Sequence, residues 1–193
     1  METTLLHEVY NHPNLTKIDL EKIVDAHELI RLSKGSILLQ DGDISKCYYI
    51  LISGSIRSYV VDYLGREHTT QLYLPKEVVI EEASLFHQIP TQETFVCISD
   101  CELWKMNIEV FNKFFVEIPA LAEWGRNWMS YQLLLSKQSK IDLIKESALT
   151  RYTKLITTKP EILQKVPLKY IASYLGITDS SLSRIRKDMA IKE

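Results

Sequence analysis

The sequence predicts an α+β chain: an N-terminal antiparallel β-roll of the double-stranded β-helix or jelly-roll type with flanking helices, one long helix, and a C-terminal helix-turn-helix. Two observations carry this. Between Arg31 and Leu103 the chain breaks into short β-type runs separated by glycine turns, whereas on either side the apolar residues recur every three or four positions. Near the end, two short helical patterns meet at a single glycine.

In chain order, Leu15–Ile30 reads as an amphipathic helix with Ile18, Leu20, Ile23, Val24 and His27 toward a core. The β-type runs follow at 36–39, 48–52, 56–61, 68–74, 78–80, 95–98 and 102–106, and four of the six glycines lie in turns between them. Many short strands at this spacing suit a small antiparallel roll. Ile108–Phe115 is a short helix. Pro119 then suits the first turn of a longer one, where its missing N–H costs nothing. Along it Leu121, Gly125, Trp128, Gln132 and Leu135 form a stripe, which serves either as plain core or as a seam with a second copy. Ser147 to about Leu155 is a further helix, and 157–160 a break. These bounds give a roll over 1–117, a linking helix over 118–145 and a terminal module over 146–193.

The terminal module is the most informative stretch. Pro167 opens a helix whose Leu168, Ile171, Ala172 and Leu175 share a face. Gly176 supplies the left-handed turn, Ile177 an apolar plug, and Thr178 an N-cap for a helix over 179–189. There Leu182, Ile185 and Met189 point inward, while Ser180, Ser183, Arg184 and Lys187 share the outward face. Small hydroxyls allow close approach to a major groove, Arg184 can reach a guanine edge, and Lys169, Arg186 and Lys187 can neutralise phosphates. The same spacing also suits any packed helix pair with a solvated basic face.

Charge is divided unevenly. The net charge is −2, yet residues 151–193 hold nine Lys/Arg against four Asp/Glu, and the first 150 hold 14 against 21. A basic module on an acidic body suits nucleic-acid binding. No run approaches membrane-span length and Met1–Tyr10 lacks a signal-peptide pattern, so a cytoplasmic location without membrane association is expected. Three cysteines argue against a disulfide scaffold. Cys97 and Cys101 would share one strand face as inert thiols. The five histidines show no metal spacing, and no hydrolase or phosphate-loop motif appears, so neither a metal nor an enzyme is expected.

IASYLGIT followed by SLSRIRK resembles the DNA-reading element of the CRP/FNR family of bacterial transcription regulators. KGSILLQDGD and YYILISGSIRSYV resemble the opening strands of that family's cyclic-nucleotide-binding-type sensor domain. The resemblance implies a homodimer joined along the long helix, reading palindromic double-stranded DNA, with RNA polymerase a further candidate partner. It puts Asp179, Ser180 and Arg184 at base-facing positions, and Thr178 and Ser181 at backbone contacts. The family's β-hairpin wing needs more chain than remains before Glu193, so a truncated wing is expected.

In the sensor the resemblance breaks down. Cyclic-AMP binders of this family use a Gly-Glu pair and, downstream, an Arg-Ser pair. Here Glu81 and Glu82 stand at the first pair, Gln92 and Glu93 at the second, and Pro75-Lys76 lacks the glycine usual before that strand. A carboxylate ~4 Å from a phosphate oxygen costs up to ~4 kcal/mol at an effective dielectric of 20. This argues against cyclic AMP and leaves no cofactor expected. The three glutamates form either a solvated acidic rim or a pocket for a cationic or neutral effector. The alternative function is a small-molecule sensor, a cyclic-nucleotide one included, acting through a protein partner.

Overall fold

In the computed structural model, which describes residues 2–190, two helices precede the roll: α1 (Glu2–Val9) and α2 (Lys17–Asp25). The sequence pattern assigns no element to α1. A capping box starts α2: Thr16 Oγ1 accepts from the Asp19 N–H at 3.1 Å, and Asp19 Oδ2 accepts from the Thr16 N–H at 3.3 Å. The helix stops at Asp25 rather than Ile30, because Glu28–Leu32 becomes β1 and pairs with the strand at Cys101–Asn107. Cross-strand pairing here overrides a helical apolar period. Ile18, expected inward, is 66% exposed, whereas Ile23 is fully buried.

The remaining strands are β2 (Ile37–Leu39), β3 (Cys47–Ser53), β4 (Ile56–Val61), β5 (Glu67–Tyr73), β6 (Val78–Val79), β7 (Thr94–Cys97) and β8 (Cys101–Asn107). They form two antiparallel four-stranded sheets, β1-β8-β3-β6 and β2-β7-β4-β5. Between the sheets lie Leu51, Ile56, Tyr73, Val79, Phe95 and Leu103. Cys97 and Cys101 lie in this same core, but on β7 and β8 of different sheets rather than one strand face, because the chain bends at 98–99.

Lys76 in the turn before β6 has φ +79°, a left-handed conformation costly for a side chain with a Cβ, and its N–H donates to Leu51 O at 2.8 Å. Lys76→Gly is expected to raise stability by about 0.5–1 kcal/mol, the relief of that cost less the extra unfolded-chain entropy of glycine. The exposed Lys76–Glu8 pair that it loses is worth little. A shift of the urea midpoint to lower concentration would contradict this.

Helices α4 (Ile108–Glu117) and α5 (Pro119–Lys145) close the other side of the roll against α1 and α2. Leu121 is fully buried there, and Trp124 Nε1 donates to Val9 O at 2.8 Å. A Cβ on Gly125 would sit 2.5 Å from Phe115 Cε2, so a larger residue there would push the Phe115 ring aside. The expected stripe on α5 therefore divides. Leu121 and Gly125 are occupied by their own chain, Trp128 and Gln132 are half-buried, and Leu135 is 44% exposed.

The terminal module comprises α6 (Ala148–Thr158), α7 (Ile162–Lys165), α8 (Leu168–Tyr174) and α9 (Asp179–Ala190). The break falls at 159–160, two residues later than the sequence suggests. Tyr152, Leu155, Ile162, Ile171, Ala172, Leu175 and Leu182 form its core together with Leu72 and Leu74 of the roll. Leu168, expected inward, is 37% exposed. The expected wing truncation concerns Ile191–Glu193, which lie outside the described residues. Among the described residues no helix is long and apolar enough to cross a membrane.

Candidate nucleic-acid interface

The turn between α8 and α9 is built as its residue types require. Gly176 takes φ +68°; its N–H donates to Ser173 O, and the Ile177 N–H to Ala172 O, both at 3.0 Å. Thr178 Oγ1 accepts from the Ser181 N–H at 3.2 Å, capping α9, and is also hydrogen-bonded to the hydroxyls of Ser180 and Ser181. Asp179 puts a carboxylate on the first turn, where the helix dipole favours it.

Helical periodicity then sorts the side chains. Leu182 is buried, and Ile185 and Met189 pack on the module core, so the other side of α9 is turned outward. Thr178, Asp179, Ser180, Ser183, Arg184, Arg186 and Lys187 are all exposed, and Ser181 is half-buried. Lys169 is exposed at the start of α8, its Nζ 4.8 Å from the Tyr170 ring centroid. One solvent-facing surface thus joins small hydroxyls at the start of α9 to cations along it. Its chemistry matches a major groove flanked by phosphates.

Two basic residues that the sequence reading passes over hold this module to the long helix. Arg151 donates to Glu146 O at 2.6 Å and to Leu175 O at 3.0 Å, satisfying a carbonyl at the end of α8. Lys154 pairs with Asp142 at 3.0 Å and with Glu146. In sequence both look like ordinary cations on a solvated helix face, and nothing in their spacing singles them out.

The sensor residues come together in part. Glu81 caps α3 (Glu82–His87), accepting the Ser84 N–H at 2.5 Å, so its carboxylate already has a structural partner. Glu93 is half-buried and hydrogen-bonded to the hydroxyls of Ser58 and Thr70, which bond each other at 2.7 Å. Desolvation raises the Glu82 and Glu93 carboxyls above their ordinary range, and the charge of Glu81 adds to both shifts. Burial, with Glu82 and Glu93 nearby, also raises the Tyr73 phenol. Gln92 is exposed on the loop before β7. The cluster is acidic, and the one arginine on β4, Arg57, is turned to the opposite side of the sheet. Beside Glu81 the roll interior leaves a cavity of only about 20 Å³. Among the described residues, no group of three His, Cys, Asp or Glu side chains is placed to hold a metal ion.

Residues 29–117 match the family model of the cyclic nucleotide-binding domain. The transcriptional regulatory protein btr of Bordetella pertussis is 21% identical over 179 residues, covering 86% of this chain and 73% of that protein. Among solved structures, FixK2 from Bradyrhizobium japonicum has a TM-score of 0.75 at 15% identity, covering 86% of this chain and 85% of that one. The cAMP-bound PfPKA-R has a TM-score of 0.53 at 22% identity, over 58% of this chain. The match spans 41% of PfPKA-R, less than half its length.

Proposed function

We propose that the chain is a transcription regulator of the CRP/FNR type and reads palindromic duplex DNA as a homodimer through α9. The observation that carries this reading is the exposed face of Ser180, Ser183, Arg184 and Lys187, backed by a buried Leu182. Asp179, Ser180 and Arg184 read bases, while Lys169, Thr178, Ser181 and Lys187 hold the backbone. The homodimer forms along the exposed second half of α5 and presents two reading helices about one DNA turn apart. It works in the cytoplasm, with RNA polymerase as a further partner. Cyclic AMP is not its effector: Gln92 stands where a phosphate needs a cation, Glu81 and Glu93 replace the small residues of the two pairs, and Arg57 faces away.

Selection of bound duplexes from a randomised ~30-bp pool tests this reading. A two-fold-symmetric motif is the expected product, whereas recovery of random sequence that fades with salt would overturn it. On the selected operator, Arg184→Ala is expected to cost about 1–3 kcal/mol and to relax preference at one base pair per half-site. An unchanged base profile would remove Arg184 from the reading set.

A further inference from the structure

Among the described residues, Arg57 on β4 is the most deeply buried Lys, Arg, Asp or Glu, at 5% exposure. A buried charge needs several partners to offset its lost hydration. Arg57 finds them on two domains. Its guanidinium lies 4.3 Å from the Tyr59 ring centroid and 3.9 Å from that of Tyr170, pairs with Glu67, and donates to Thr69 Oγ1 at 3.4 Å. Tyr59, Glu67 and Thr69 belong to the roll. Tyr170 lies on α8, the helix that leads into the reading helix.

Further bonds around this sandwich join the same two surfaces. The Thr69 N–H donates to Ser173 Oγ on α8 at 2.9 Å, Lys159 Nζ donates to Leu72 O at 2.7 Å, and Ser55 Oγ donates to Lys165 O at 2.9 Å. The docked side of α8 carries Tyr170 and Ser173, while the outward face of α9 stays exposed. Docking therefore orients the reading residues without covering them. The next residue on β4, Ser58, bonds Thr70 in the acidic pocket, so the pocket and the sandwich share one strand.

We propose that Arg57, a sensor-domain residue, is a positioning residue for DNA reading: its guanidinium, held between Tyr59 and Tyr170, clamps α8 to the β4–β5 ribbon and sets the pose of α9. This rests on the DNA-binding reading above. A purely structural arginine would lower the stability of the whole chain when replaced. A clamp instead governs the order of the terminal module and the affinity it supports.

The full-length chain is compared with Arg57→Gln, Tyr170→Leu, their double variant and Tyr170→Phe, by hydrogen exchange and by titration with the selected operator. Arg57→Gln and Tyr170→Leu are each expected to speed exchange over residues 167–190 while β3 and β8 keep their protection. Each should weaken operator binding roughly tenfold, and the double variant should be no weaker than the worse single one, because both remove the same contact. Tyr170→Phe keeps the ring and should behave as wild type. Uniformly faster exchange, unchanged exchange over 167–190, or additive losses in the double variant would each overturn the clamp. An operator bound equally by wild type and Arg57→Gln overturns the clamp alone. Failure of the wild type to select any operator overturns the DNA reading, and with it this role for Arg57.

Discussion

A chain carrying Leu134→Glu and Ile141→Glu is expected to run as a monomer and to lose roughly 10²- to 10⁴-fold in affinity for the full operator. The reason lies in how α5 is divided. Its first half is spent on the chain's own core, with Leu121 buried and Gly125 pressed on Phe115. Its second half leaves Leu133, Leu134, Ile141 and Ile144 exposed at 72%, 58%, 37% and 85%. Leu134 and Ile141 are seven residues apart, two helical turns, and so lie on one stripe that a second helix can cover. Carboxylates there would be desolvated in the dimer and solvated in the monomer, while the terminal module, whose core includes neither Leu134 nor Ile141, stays folded. Sedimentation and operator titration on the same samples check the outcome. A double variant that remains dimeric would move the seam to Trp128, Gln132 and Leu135.

The second large effect is on stability against pH. His27 is buried with Tyr10 and Tyr48 where α1, the end of α2 and β3 meet. Its Nδ1 lies 2.7 Å from Ile23 O, which can only accept, so Nδ1 carries the proton. Nε2 then accepts from Tyr10 Oη at 3.0 Å, and Tyr10 Oη is in turn 2.5 Å from Tyr48 Oη. Burial lowers the imidazole pKa from its ordinary 6.5 to about 4, the bond to Ile23 O opposing this only in part.

In the unfolded chain His27 takes up a proton near pH 6.5, but in the folded chain only near pH 4. Stability from this group is therefore complete above pH 6.5, falls as the pH drops, and levels off below about 4, a loss of about 3 kcal/mol. His27→Gln, which cannot charge, should be less stable than wild type at pH 7. Its deficit should shrink by about that amount at pH 4, as read by urea unfolding at the two pH values. A deficit that stays constant would mean that His27 charges as freely in the fold as outside it.

The helix-turn-helix is legible in the sequence because its signals are local. Pro167, Gly176 and Thr178 each suit one backbone position, and the spacing of Ile171, Ala172, Leu175 and Leu182 sets which faces are buried. The glycine turns likewise mark most of the strands. The helical reading of 26–30 fails because the apolar spacing of Leu29 and Ile30 suits either element. Pairing with Cys101–Asn107, some seventy residues away, decides it. Arg57 shows the same limit. In sequence it is one polar residue in a β-type run, and only the docking of α8 makes it a buried cation between two rings.

The sequence by itself therefore determined the roll, the helix-turn-helix and the outward residues of its second helix, since each follows from residue type and near-neighbour spacing. Only the tertiary structure decided which half of α5 is free for a partner, that Cys97 and Cys101 belong to different sheets, and how the terminal module is fastened to the sensor. Those depend on contacts between residues far apart in the chain, whose energies no local pattern records.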